Sequence, residues 1–159
     1  MPTLAKVALQ LALSLWLGAL VAVSLVVAPA VFRAVPGETA GTVMGHVFPL
    51  YYAFTMAAGL VALAAATWLW RRSVSARLWR ALVPMLVVML AATAYAGAVV
   101  SPRARALRPA LHHEPVDPAI RAEFDRLHRR AMQLNGLVLL LGFVAVAGTA
   151  AVVRWPGEC

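Results

Sequence analysis

Four runs of the chain carry no charged residue: Val7 to Phe32 (26 residues), Val47 to Trp70 (24), Ala81 to Pro102 (22) and Ala131 to Val153 (23). Each exceeds the roughly 20 residues that a helix rising about 1.5 Å per residue needs to cross a hydrocarbon core about 30 Å thick. Inside such a core every backbone N–H and C=O must be paired within the protein, which leaves helices or closed barrels. Barrels are built from many short alternating segments, whereas these runs are long and continuous. The fold class expected is therefore all-α: an integral membrane four-helix bundle, one domain over residues 1–159, with helices at about 4–32, 46–70, 80–100 and 118–153. Composition agrees, because 13% charged residues is about half the usual share of a soluble domain.

The first run is too long for a signal sequence, whose apolar region spans about 7–15 residues, so it is expected to stay as an anchor. One cysteine, Cys159, excludes an internal disulfide and any multi-cysteine metal site. The net charge of +8 comes almost wholly from arginines placed beside the apolar runs. That placement fits headgroup contact and topology control rather than nucleic-acid binding. The bilayer is the expected partner, with a second copy or a membrane complex as a further one.

Ser14, Gly18 and Ala22 recur every four residues on the first helix, a spacing that lets helices approach closely in lipid. Pro29 is expected to kink the last turns of that helix. Pro36-Gly37 and Gly41 punctuate a turn, after which the second helix restarts near His46 with Pro49 in its first turn. The third helix is expected to close at Ser101-Pro102-Arg103 and the fourth to stop at Arg154-Trp155-Pro156. Between them, the connector should be irregular through Pro109 and Pro115. Asp117-Pro118 then starts an amphipathic helix, Asp as N-cap and Pro at the first position, running straight into the membrane part of the fourth helix from about residue 130. On that helix Phe124, His128, Met132, Asn135 and Gly142 share one face. Pro29 and Pro36 are seven apart, as are Pro102 and Pro109, each pair following an odd-numbered helix; coincidence is the favoured account of so faint a repeat, and a duplicated hairpin the alternative.

Four crossings put both termini and the Arg71–Arg80 connector on one side. Lysines and arginines number six there and eight opposite, so the positive-inside rule pulls both ways. The dense, acid-free Arg71–Arg80 connector favours cytoplasmic termini, in a bacterial inner membrane.

His46, His112, His113 and His128 all fall on the other side, with Glu38, Glu114, Asp117, Glu123 and Asp125. Imidazoles and carboxylates at a membrane edge suit a transition metal or a haem, and the thioethers of Met44 and Met132 suit Cu(I). No two histidines have a recognised ligand spacing, and interfacial packing and solvation is the favoured account of them. His128 and His46 are the metal candidates. Phe32, Arg33, Pro49, Tyr51, Tyr52, Met132 and Asn135 are the candidate pocket, formed where the first connector meets the start of the fourth helix. P-loop, nucleophile-elbow and dinucleotide-turn motifs are absent, and no charge lies inside a span, unlike transporters that use a buried carboxylate.

The segments FRAVPGETAG, FPLYY, SPR and LHRRAMQLNG together resemble the transmembrane-protein-205-like family, a widespread domain of unknown function. The resemblance runs from Leu15 to about Val146 through Phe32, Arg33, Pro36, Gly41, Phe48, Pro49, Tyr51, Pro102, Arg103, His128 and Asn135. It implies a four-helix membrane protein. In shape the chain is more remotely similar to copper-resistance-D-type membrane proteins and small haem-binding oxidases, where membrane-edge histidines matter. His46, His112 and His113 lie outside the resembling pattern, so the resemblance supplies no four-histidine site. The expected function is a membrane protein, leaning away from an enzyme, that binds or helps move a small solute or metal at one membrane surface. A haem- or quinone-linked redox enzyme and a structural or assembly subunit are the alternatives.

Overall fold

The computed structural model describes residues 2–72, 76–112 and 115–152, and no strand occurs among them. Helix α1 runs over residues 2–34, as Pro2–Val21, a π-helical turn Ala22–Val27, and Ala28–Ala34. Helix α2 is Gly37–Arg72. Helix α3 runs over residues 76–107, as Ala76–Tyr95, a second π-helical turn Ala96–Val100, and Ser101–Leu107. A 3-10 turn, Pro109–His112, follows, and helix α4 is Pro118–Val152. All four helices are long and apolar enough to cross a membrane. Leu50, Leu140, Phe143 and Val144 point outward from the bundle, as residues that contact lipid tails do. The chain is an all-α integral membrane protein.

Several helix ends differ from expectation. α2 starts at Gly37 rather than near His46, because the Pro36 carbonyl already accepts the Ala40 N–H at 2.9 Å and the first turn carries Glu38 against the positive helix end. Pro49 therefore lies inside α2 and not at its start. α3 continues through Ser101-Pro102-Arg103 to Leu107, so the first part of the long connector is helical rather than irregular. α4 begins as expected: Asp117 Oδ1 accepts the Ala119 N–H at 2.8 Å, with Pro118 as the first residue. The expected stop at Arg154-Trp155-Pro156 lies outside the described residues.

The π turns explain how α1 continues through Pro29 and α3 through Pro102. A proline ring crowds the carbonyl four residues back, here those of Leu25 and Ala98, and each carbonyl sits inside a π turn. The Ala28 N–H reaches back five residues to the Val23 carbonyl, and the Ser101 N–H reaches the Ala96 carbonyl. The backbone widens where the ring needs room, and the helix goes on.

Each helix packs on the next, and α4 returns to α1, closing a four-membered ring. Leu9, Leu13, Trp16 and Leu20 of α1 and Leu82, Leu86 and Met89 of α3 fill the core, against Ala58, Ala62, Ala65 and Ala66 of α2. The helices come closest at Gly59, where an added Cβ would sit 2.7 Å from both Trp16 and Leu90, and at Gly142, where it would sit 2.4 Å from Leu17. Ser14 and Gly18, expected at a helix interface, face outward, and a Cβ on Gly18 would meet nothing within 4 Å. Large side chains gain more dispersion contact against a wall of small ones than a small stripe gains, so the leucine and tryptophan face of α1 turns inward.

The repeat read from the prolines has a structural counterpart. Pro29 and Pro102 each follow a π turn, and each is followed seven residues on by Pro36 or Pro109. The buried residues Leu9, Leu13, Trp16 and Leu20 of α1 match Leu82, Leu86, Met89 and Thr93 of α3 at the same spacing. Gly59 of α2 takes Leu90 of α3, and Gly142 of α4 takes Leu17 of α1, the same contact made once by each hairpin.

Candidate functional site

Above the π turns the bundle opens into a cavity of about 730 Å³ at the end where α1 meets α2 and α3 meets α4. Every helix contributes, and the order of residues along each helix sorts the lining into levels. From Glu38 to Tyr52 along α2 the cavity is about 21 Å deep, at about 1.5 Å per residue.

The floor is polar. Ser24 of α1, Tyr52 of α2, Ser101 of α3 and Asn135 of α4 lie there, and the Asn135 amide is within hydrogen-bonding reach of the Tyr52 hydroxyl. Tyr52 stands upright because Gly97 leaves room for it: a Cβ on Gly97 would come within 2.9 Å of the tyrosine's Cβ and Cγ. Tyr51 meets the Tyr52 ring edge-on, with centroids 4.9 Å apart. The middle is apolar and aromatic: Ala28, Pro29, Phe48, Ala104, Ala131 and Met132, with Phe124 and His128 stacked nearly parallel at 6.4 Å. The rim is charged, carrying Glu38, Arg108 and Arg121. Arg108 runs alongside Gly41 and Gly45 of α2 and donates to the Gly41 carbonyl. Those glycines clear the surface that the guanidinium lies on.

Of the sequence candidates, Phe32, Tyr52, His128, Met132 and Asn135 line this one cavity. Arg33 and Pro49 are exposed and line neither cavity, while Tyr51 is buried in the core behind Tyr52. His46 lines an adjoining, smaller cavity of about 370 Å³ with Thr42 and Arg105, on the far side of Glu38 and Arg108, which line both; its Nδ1 lies 3.0 Å from the Thr42 carbonyl. Met44 is fully buried and lines neither cavity. Tyr95 is outside as well, receiving a 3.4 Å hydrogen bond from Arg130. His113, Glu114 and the side chain of His112 lie outside the described residues. Among the described residues, no three His, Cys, Asp or Glu side chains group as metal ligands would.

Sequence reasoning passed over Ser24, Ser101 and Arg108. For Arg108 a signal was available: Gly41 and Gly45, four apart, are the small residues that a long side chain from a neighbouring helix can lie across. For the serines a signal was available too: Ser24 lies four residues beyond the buried Leu20, and Ser101 eight beyond the buried Thr93, so each continues an inward stripe.

A family profile described as a domain of unknown function (DUF4149) matches residues 11–113. Searches of curated proteins and of solved structures find no match.

Proposed function

The chain belongs to the DUF4149 family, a domain of unknown function, and on that premise we propose that it binds, and helps move, a small organic solute at one membrane surface. The observation that carries this reading is the connector-end cavity. At about 730 Å³ it falls in the range of about 300–1,000 Å³ typical of small-molecule sites, with the same mix of apolar wall and a few converging polar groups. The resemblance to the transmembrane-protein-205-like family lends support, since its positions Phe32, Gly41, Phe48, His128 and Asn135 all line that cavity. A metal as the solute is the weaker version, as is a haem held by two histidines, because His46 and His128 line different cavities. The assembly reading keeps one observation of its own, the outward-facing Ser14 and Gly18 on α1.

With cytoplasmic termini, favoured by the Arg71–Arg80 connector, the cavity opens at the external face of a bacterial inner membrane. An impermeant maleimide should then leave Cys159 unlabelled in intact cells, and labelling there would reverse the orientation.

Native mass spectrometry of the purified protein tests the binding reading. An adduct of a few hundred daltons should ride on the wild-type chain, vanish when Ala104→Trp fills the cavity, and persist in Leu11→Trp on the lipid-facing side of α1. An adduct indifferent to Ala104→Trp, or none at all, sinks it.

A further inference from the structure

The rim and the sides of the cavity say what kind of solute fits. On the α2–α3 side the cavity is closed by Tyr52 against Gly97 and by Arg108 on the Gly41 carbonyl. The α1–α4 side differs. Below the π turn α1 packs closely on α4, whereas its last segment, Ala28–Ala34, packs chiefly on α2 and on the π turn beneath it. Phe32 of α1 and Met132 of α4 both line the cavity, yet they are 53% and 61% exposed. Two residues that belong at once to the cavity wall and to the outer surface mark a side opening. At this height in a transmembrane bundle, what lies outside that opening is lipid.

Charge supplies the second constraint. Arg108 and Arg121 outnumber Glu38 at the rim, and among the described residues neither arginine forms an ion pair. The donors of Arg108 not used on Gly41 remain available in the planar fork that suits a phosphate or carboxylate. In the middle the His128 imidazole is the one group named above that could donate to such an anion, while the two arginines stand together at the rim, at the depth of headgroups.

Building on the solute-binding reading, we infer that the cavity takes an amphiphile with a net-anionic head, a phosphate that carries no attached cation, drawn from the surrounding leaflet through the gap between α1 and α4. The head sits on Arg108 and Arg121. The tail lies against Phe48, Ala104 and Met132 and leaves between Phe32 and Met132. The Tyr52–Asn135 pair stays beneath it.

Native mass spectrometry in detergent, with phosphatidylglycerol or phosphatidylcholine added and glycerol phosphate as soluble competitor, tests this. One phosphatidylglycerol should bind, preferred over phosphatidylcholine by about tenfold, the size of one charge-assisted hydrogen bond. Arg121→Gln and Arg108→Gln should each remove most of that preference, and Arg126→Gln, on the outer face of α4, should not. Should Arg108→Gln fail to fold, the exposed Arg121 carries the test alone. An adduct that Ala104→Trp removes but that shows no headgroup preference, or a preference unmoved by either arginine, overturns the inference and leaves the solute-binding reading standing. Displacement by glycerol phosphate at equal concentration overturns the membrane source and leaves a soluble phosphate as ligand. If no adduct responds to Ala104→Trp, both readings fall together.

Discussion

The two ends of the same four helices are built in opposite ways. Toward the termini, Trp16 and Leu90 press on Gly59, Leu17 presses on Gly142, and Gln10 of α1 donates a 2.9 Å hydrogen bond to Thr149 of α4. Toward the first and third connectors, the π turns and prolines of α1 and α3 leave a cavity with a charged rim. Residue type does not separate the ends, since alanines, leucines and glycines occur in both. What separates them is whether the helix keeps its four-residue hydrogen bonding. Where it does, large residues meet small ones and the bundle seals. Where α1 and α3 change to five-residue bonding, each backbone widens by one residue, and the cavity opens beyond that point.

If the sealed end holds the fold together, substitutions there should dominate stability. Trp16 is 1% exposed, and Trp16→Ala should cost about 3–5 kcal/mol, read as a large drop in the melting temperature of the detergent-solubilised protein. Among the described residues the indole N–H of Trp16 has no hydrogen-bond partner, so Trp16→Phe forfeits no hydrogen bond and should cost less than about 1.5 kcal/mol. Equal losses for the two would mean that the indole nitrogen is paired after all.

The glycines come next. Gly59→Ala drives a methyl group into a stiff tryptophan ring and should cost about 1–3 kcal/mol. Gly142→Ala meets only the mobile end of Leu17 and should cost less. Gly18→Ala, in open space, should stabilise by about 0.5–1 kcal/mol through helix propensity. The reverse order would place the tight interface elsewhere.

A smaller effect is expected from Gln10→Ala, which loses one interhelical hydrogen bond worth about 1 kcal/mol, while Thr149 keeps its bond to the Ala145 carbonyl at 2.9 Å. The smallest comes at the open end. Ala104→Trp projects into empty space and should change stability by under about 0.5 kcal/mol while abolishing the bound adduct. A large destabilisation there would show that the cavity end is as tightly packed as the other, and the contrast would disappear.

How far the chain could be read in advance follows the same divide. The crossings were legible because absence of charge over 22–26 residues is a strong signal, and α4 was legible through Asp117-Pro118 and its single face of Phe124, His128, Met132 and Asn135. Proline was the source of the errors. Read from the sequence, Pro49 and Pro102 mark helix boundaries, because in isolation a proline breaks the backbone ladder. In the fold, α2 runs through Pro49 and a π turn carries α3 through Pro102. The sequence pairs His46 with His128 because both fall on the same side of the four crossings. Position along the membrane normal does not fix position around the bundle, and the two point into different cavities.

The π turns carry one more consequence. Each accommodates one residue more than an α-turn does, so each is a slot from which a residue can be lost. In an ordinary helix a single deletion swings everything beyond it by about 100° and scrambles its neighbours. Within residues 22–27 or 96–100 the same deletion would return the segment to plain α-helix, with the flanking residues still on their present faces. The breadth of the open end is thus written as chain length, separately from the side chains that give it chemistry, and the two can be varied one at a time.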